Sequence, residues 1–285
     1  MSAMRTGVPL CLLLAMAGLI GGWEDSKEEP AVILLPTGFE HAGGTKWGYT
    51  GEGGRLVIDS LFDEVRYFSE GLAAVKVGNK WGYIDTAARY VVALRFDGAG
   101  QFFDGLAPVK ADGRWGFIRK DGIFALRPQF DSAIEFTRGL APVRAGRKWG
   151  FIDTAGKYRI TPRFAGVHGV CFFGGLALVK VKRTWVFVDK TGNVVFRPSQ
   201  EDAKYPLSGL DLDHLGHKWS YRPDRDSLSN KWGYTDTTGT FIIAPQFDDA
   251  DMFCYGLALV KAGGEYGFID KTGRYVWKEK SGRAK

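Results

Sequence analysis

The stretch "GNKWGYID" (Gly78–Asp85) returns as "GRKWGFID" (Gly146–Asp153) and, with tyrosine in place of tryptophan, as "GEYGFID" (Gly264–Asp270). A segment that recurs this closely marks a structural unit used many times. Tryptophans at 47, 81, 115 and 149 fall at steps of 34 residues, the next step of 36 reaches Trp185, and a further 34 reaches Trp219. Trp232 follows after only 13, and a last step of 34 lands on Tyr266, giving eight copies with an eroded one near position 210. Self-similarity at a fixed period is the mark of a repeat architecture, in which one unit cannot bury its own apolar face and must stack on a neighbour.

The unit can be read in pieces. "GLAAVKV" (Gly71–Val77) has strand character, Gly78–Asn79 is a two-residue hairpin turn, and "KWGYID" (Lys80–Asp85) is the returning strand. "DTAA" from Asp85, "DTAG" from Asp153 and "DKTG" from Asp189 and Asp270 make a second turn, because an Asp side chain caps backbone amides and Gly accepts positive φ. A third strand, "RYVVAL" (Arg89–Leu94), follows, and the "RPQF" and "APQF" stretches at Arg127 and Ala244 are expected to end it, since proline cannot donate into a ladder.

With the turn at Gly78–Asn79, Lys76 faces Trp81, Val75 faces Gly82, Ala74 faces Tyr83 and Ala73 faces Ile84. Strand alternation then places Leu72, Ala74, Lys76, Trp81, Tyr83 and Asp85 on one face, with Ala73, Val75, Val77, Lys80, Gly82 and Ile84 on the other. Trp81 and Tyr83 form an aromatic ledge for the next unit to cover, and the bare Gly82 is expected to allow close packing opposite Val75. The expected fold is an all-β repeat protein of antiparallel three-stranded meander units stacked as an open or spiral β-solenoid. A closed propeller-like ring is the alternative.

Composition agrees with a folded, turn-rich chain: 285 residues, 45% hydrophobic, 25% charged, with 39 glycines and no Gly-X-Y period. The first segment has a single basic Arg5, an apolar run from Val8 to Ile20 and small residues near Ala17 and Gly22, the pattern of a secretory signal peptide cleaved near one of the latter two. An uncleaved segment is the one circumstance that would bring membrane association. The remaining organisation is a linker or cap over 23–45, the array over 46–278 with its eroded unit at about 199–231, and a basic tail over 279–285. Removal of the leader leaves Cys171 and Cys254, which lie in different repeats and are read as separately buried thiols.

"KWGYID", "DKTG", "PQF" and the "GLAxVK" pattern resemble the WG-repeat family, named for its Trp-Gly pair and found in many bacterial proteins, often exported ones. The resemblance spans roughly Lys46 to Trp277 and implies a β-rich scaffold that mediates interactions, with no catalytic residues to carry over. The repeat aromatics Trp47, Trp81, Trp115, Trp149, Trp185, Trp232 and Tyr266 are then structural. Departures from the pattern are Val186 and Ser220 at the Gly position, Thr184 at the Lys or Arg position, and Tyr266 itself. Irregular stacking is expected from the fifth unit onward.

No catalytic constellation is readable around His41, His168, His214 or His217, no phosphate-cradling loop follows Gly51, and no cofactor is implied. The expectation is a protein without enzymatic activity. Asp211, Asp213, His214 and His217 form a weak candidate metal set inside the eroded unit, where polar substitution without core pressure gives the same pattern. The recurrent Asp85, Asp153, Asp189, Asp236 and Asp270 each stand alone, as turn caps rather than calcium ligands.

Two rows of cations remain. Lys76, Lys110, Arg144, Lys180 and Lys261 precede the hairpin turn, while Lys46, Lys80, Arg114, Lys148, Lys218 and Lys231 precede the aromatic. The formal charge of +6 admits an acidic partner, with Lys80, Arg114 and Lys148 as the binding row, and the structural alternative stacks Lys76 over Trp81 as a cation–π pair. An exported scaffold for an unidentified protein partner, secreted or periplasmic, is the functional expectation. An anionic envelope polymer is a possible ligand and nucleic acid is not. A carbohydrate or peptidoglycan module is the alternative, and it requires several repeat tryptophans to face solvent.

Overall fold

The computed structural model describes residues 34–41, 44–168, 172, 175–199, 207–208, 222–236, 238–254 and 256–278. The leader, the metal candidates Asp211, Asp213, His214 and His217, the copy around Trp219 and Ser220, Cys171, the Cys254 side chain and the basic tail lie outside them.

The chain is an all-β repeat array of antiparallel meander units, with seven sheets among the described residues. In the second sheet Leu72–Val77 pairs with Lys80–Asp85, which pairs with Tyr90–Phe96, and a two-residue strand, Glu64–Val65, adds a fourth member beside Leu72–Val77. The hairpin register is Lys76↔Trp81, Val75↔Gly82, Ala74↔Tyr83 and Ala73↔Ile84, as the strand period demands. The first sheet starts at Leu35, so part of the segment set aside as linker or cap supplies its opening strand, Leu35–His41. Arg222–Arg225 plays that part for the Trp232 unit.

The Trp-Gly pair has a different cause from close packing opposite Val75. A Cβ at Gly82 would lie 2.5 Å from the Val92 carbonyl oxygen, and one at Gly150 would lie 2.6 Å from that of Ile160. Between Trp81↔Phe96 and Tyr83↔Val92 the outer strand carries extra residues, and this bulge pushes its backbone against the glycine. Pro128 and Pro162 occupy the same bulge and do not end the strands Phe124–Phe130 and Tyr158–Phe164, because an outer edge needs no donated N–H there. Val186 is buried where glycine is usual, and the outer strand of the fifth sheet is Val194–Phe196, with Phe187↔Phe196 and Val188↔Val194 as its register.

Consecutive sheets bury unlike faces against each other. Leu72, Ala74, Trp81 and Tyr83 of the second sheet meet Ala107, Val109 and Ile118 of the third, while Tyr49, Ile58 and Phe62 of the first meet Ala73, Val75 and Ile84 of the second. This outgoing-to-incoming stacking continues through the fifth sheet and, separately, from the sixth to the seventh. The two runs join differently. Leu176, Leu178 and Phe187 of the fifth sheet pack on Leu257, Leu259 and Phe268 of the seventh, the same three positions of the unit on both sides, with the Phe187 and Phe268 rings 6.1 Å apart. Like faces meet there, related by a local pseudo-two-fold, and the stacking direction reverses.

Each run also opens on a unit with a polar incoming face. At the position of Ile84 stand Thr50 and Thr235, the two buried polar side chains among the described residues, and at the position of Val75 stand Thr37 and Asp224. The Thr37 and Thr50 hydroxyls share a hydrogen bond of 2.8 Å.

Candidate functional site

The two rows of cations decide what surface the array offers. Those preceding the turn turn inward to the aromatics: Lys76 Nζ lies 5.9 Å from the Trp81 ring centroid, the Arg144 guanidinium carbon 5.9 Å from Trp149, Lys180 Nζ 5.7 Å from Trp185 and Lys261 Nζ 5.4 Å from Tyr266. Lys76 also pairs with Glu64 at 2.5 Å. Lys110 makes no ion pair among the described residues. This row belongs largely to the scaffold, as the cation–π alternative requires.

The row before the aromatic is engaged by a carboxylate that sequence reasoning missed. Lys46 Nζ is 2.5 Å from Asp63, Lys80 Nζ is 2.6 Å from Asp97, an Arg114 guanidinium nitrogen is 2.5 Å from Asp131, and Lys231 pairs with Asp248. Each acid follows the last Phe of the outer strand, 17 residues beyond its cation. In three of the four steps the second carboxylate oxygen accepts from the backbone amide of the next unit's hairpin turn: Gly78 at 2.7 Å, Gly146 at 2.6 Å and Gly263 at 2.6 Å. At the remaining step the turn residue is Asp112, and only the Lys80 half of the clamp forms. The lysine bonds hold the Asp63, Asp97 and Asp248 carboxyls below the usual carboxylate range. One side chain thus ties unit to unit and neutralises the row as it does so.

Lys148 is the exception. Seventeen residues on stands Ala165, and Lys148 has no ion pair among the described residues. Of the three residues expected to form a binding row, Lys80 and Arg114 are therefore in ion pairs and Lys148 is not.

The other recurrent aspartates are turn caps. Asp85 Oδ1 accepts from the amides of Ala87 and Arg89 at 3.0 and 2.9 Å, and Asp236 Oδ1 accepts from those of Thr238 and Thr240 at 2.8 and 3.0 Å. No group of three or more His, Cys, Asp or Glu side chains is placed to hold a metal among the described residues. One acid has an unusual environment: burial, with a smaller contribution from the Asp249 charge, pushes the Asp251 carboxyl up to about 6.

Among the described residues no repeat tryptophan is exposed: Trp81 is 4% exposed and Trp47, Trp115, Trp149, Trp185 and Trp232 are half-buried. Exposed apolar side chains recur elsewhere, at the start of the outer strands and just before it: Val57, Tyr90, Val91, Ile123, Phe241 and Ile242.

The family model described as WG containing repeat matches residues 47–81, 81–115, 115–149, 149–185 and 232–266. The chain belongs to the WG-repeat family. Its matched segments run from aromatic to aromatic, so each spans the boundary between two stacked sheets of this WG-repeat protein. No curated protein matches it. Among solved structures it is similar to a eukaryotic initiation factor (15% identity, TM-score 0.39, covering 85% of this chain and 73% of that one). It is also similar to KlHsv2 with its loop 6CD replaced by a Gly-Ser linker (9%, 0.42, 89% and 82%). A third likeness is to the extracellular domain of a hybrid two-component system from B. thetaiotaomicron (11%, 0.36), of which this chain covers 40% while 88% of its own length is matched.

Proposed function

We propose that this WG-repeat array is an exported, non-enzymatic scaffold that binds a protein partner at the bacterial envelope or outside the cell. The observation that carries the binding role is a set of exposed apolar side chains near the start of the outer strands: Val57, Val91 and Ile242, at the same position of three units, are 51%, 43% and 42% exposed, and Ile123, two residues before that position in the third unit, is 59% exposed. In the stacked first three units this places Val57, Val91 and Ile123 near the outer-strand starts, and exposed apolar side chains of that kind are what protein contacts use. Export rests on the leader-like composition of the first segment. A sugar-binding role draws less support, because the Trp81, Trp149 and Trp185 rings lie under Lys76, Arg144 and Lys180.

The test is capture from an envelope extract with the full chain, followed by mass spectrometry, beside the triple variant Val57→Lys, Val91→Lys, Ile123→Lys. The variant stays folded, since all three side chains are exposed, and loses the captured protein. Equal capture by both chains would remove these side chains from the binding surface.

A further inference from the structure

At the fourth-to-fifth step the repeat leaves out a carboxylate while keeping everything that binds one. The Ala165 amide donates to the Lys180 carbonyl at 2.7 Å, just as the Asp131 amide donates to Arg144 at 2.9 Å and the Asp248 amide to Lys261 at 2.7 Å, so the backbone runs the same course. Only the side chain is gone. The turn residue Lys182 has φ 55°, against 60°, 63° and 59° for Gly78, Gly146 and Gly263, so it takes the same place in the turn as the glycines whose amides bind the carboxylate in the filled copies. Among the described residues nothing accepts from that amide and no acid pairs with Lys148. Arg147, Lys148, Lys182 and Arg183 are all exposed here, and the preceding acid of the row, Asp131, is held by Arg114 and the Gly146 amide.

We infer that the junction at Ala165 is a binding subsite for a carboxylate side chain of an acidic peptide segment, which takes the place of the missing aspartate between Lys148 Nζ and the Lys182 amide. The filled copies are the template: one carboxylate oxygen on the cation at 2.5 Å and the other on the turn amide at 2.6 Å, in the Arg114–Asp131–Gly146 set. Arg147, Lys182 and Arg183 around it favour neighbouring acidic residues over a lone one. A peptide fits better than an acidic polysaccharide because Trp149 and Trp185, the nearest repeat aromatics in sequence, lie half-buried beneath Arg144 and Lys180 and offer no ring face to a sugar. The inference rests on the scaffold reading and supplies the chemistry of one part of its partner.

The test uses the full chain and a fluorescein-labelled hexaglutamate peptide followed by anisotropy. Ala165→Asp fills the subsite from within and should weaken binding about tenfold or more, the scale of one charge-assisted hydrogen bond. Lys148→Ala should weaken it by a similar factor without lowering the melting temperature, because that lysine holds nothing in the fold. Ala87→Asp, which adds the same charge at an exposed turn of the second unit, should change binding less than about twofold. Three results would overturn the inference: no saturable binding by the wild-type chain, equal binding by Ala165→Asp or Lys148→Ala, or tighter binding of an oligogalacturonate than of the peptide. The scaffold reading is decided separately, by partner capture and the apolar triple variant, and survives any of them.

Discussion

The Tyr83 hydroxyl donates to the Gly100 carbonyl at 2.8 Å, across the boundary between the second and third sheets. Tyr49 and Tyr234 make the same bond to Arg66 and Asp251, each at 2.7 Å, while Phe117, Phe151, Phe187 and Phe268 hold that position in the other units without one. Replacing Tyr83 by Phe should therefore keep the ring packed on Phe102 and cost about 1 kcal/mol for the lost bond. Urea unfolding checks this: the midpoint falls while the slope stays unchanged.

Gly82 faces the Val92 carbonyl with no room for a Cβ. Gly82→Val should cost about 3 kcal/mol or more, through backbone displacement at the bulge, and should loosen the outer strand Tyr90–Phe96. Hydrogen exchange would show lost protection in that strand ahead of its hairpin neighbours.

Asp251 sets a pH dependence opposite in sign to that of the clamp aspartates. Its folded carboxyl titrates at about 6, above the usual unfolded value near 4, so between those pH values the folded state binds the extra proton. Stability from this group is complete below about pH 4 and is lost as pH rises through 6, by at most about 3 kcal/mol. Asp251→Asn should match the wild type near pH 4 and exceed its melting temperature at pH 7. A difference that does not vary with pH would refute this.

Ala88 closes its turn at φ 61°, where Gly156, Gly192, Gly239 and Gly273 take φ of 82° to 85° in the equivalent turns. A side chain in the left-handed region costs about 1–2 kcal/mol, against which glycine adds up to about 1 kcal/mol of unfolded-state entropy. Ala88→Gly should come out neutral to stabilising by about 1 kcal/mol, whereas Gly156→Ala should destabilise, since its Cβ would also meet Leu126 at 2.8 Å. Thermal melts of the two variants make the comparison.

How far the sequence carries the fold depends on how many strands a feature involves. Hairpin register and the two faces follow from one turn and one alternation, so Lys76↔Trp81 and the split of Ala74 from Val75 are readable directly. The glycine after Trp is not, because its partner is the Val92 carbonyl in a bulge whose presence no local pattern announces. The Asp63, Asp97, Asp131 and Asp248 clamp was present as a Phe-Asp pair 17 residues past each cation, and its absence at Ala165 was equally visible. The carboxylate bridges two units, so no single repeat contains both of its partners. The irregular stacking expected from the fifth unit onward occurs where the fifth sheet meets the seventh and not from the sixth to the seventh, and Leu176 and Phe187 match Leu140 and Phe151 in kind, so nothing in them distinguishes a like-face contact from an ordinary one.

The meeting of Phe187 with Phe268 also bears on how large the particle can grow. A unit whose outgoing face fits the incoming face of its own kind is a recipe for a filament, since a head-to-tail contact that does not close propagates without limit. In this chain both outgoing ends are spent on each other, and the incoming ends carry threonine and aspartate in place of isoleucine and valine. Duplication can then lengthen either run only from within, between units already present. Loss of the seventh unit would uncover the outgoing faces of both the fifth and the sixth, and the fifth's is suited to the same face of a second molecule, a symmetric contact rather than a head-to-tail one.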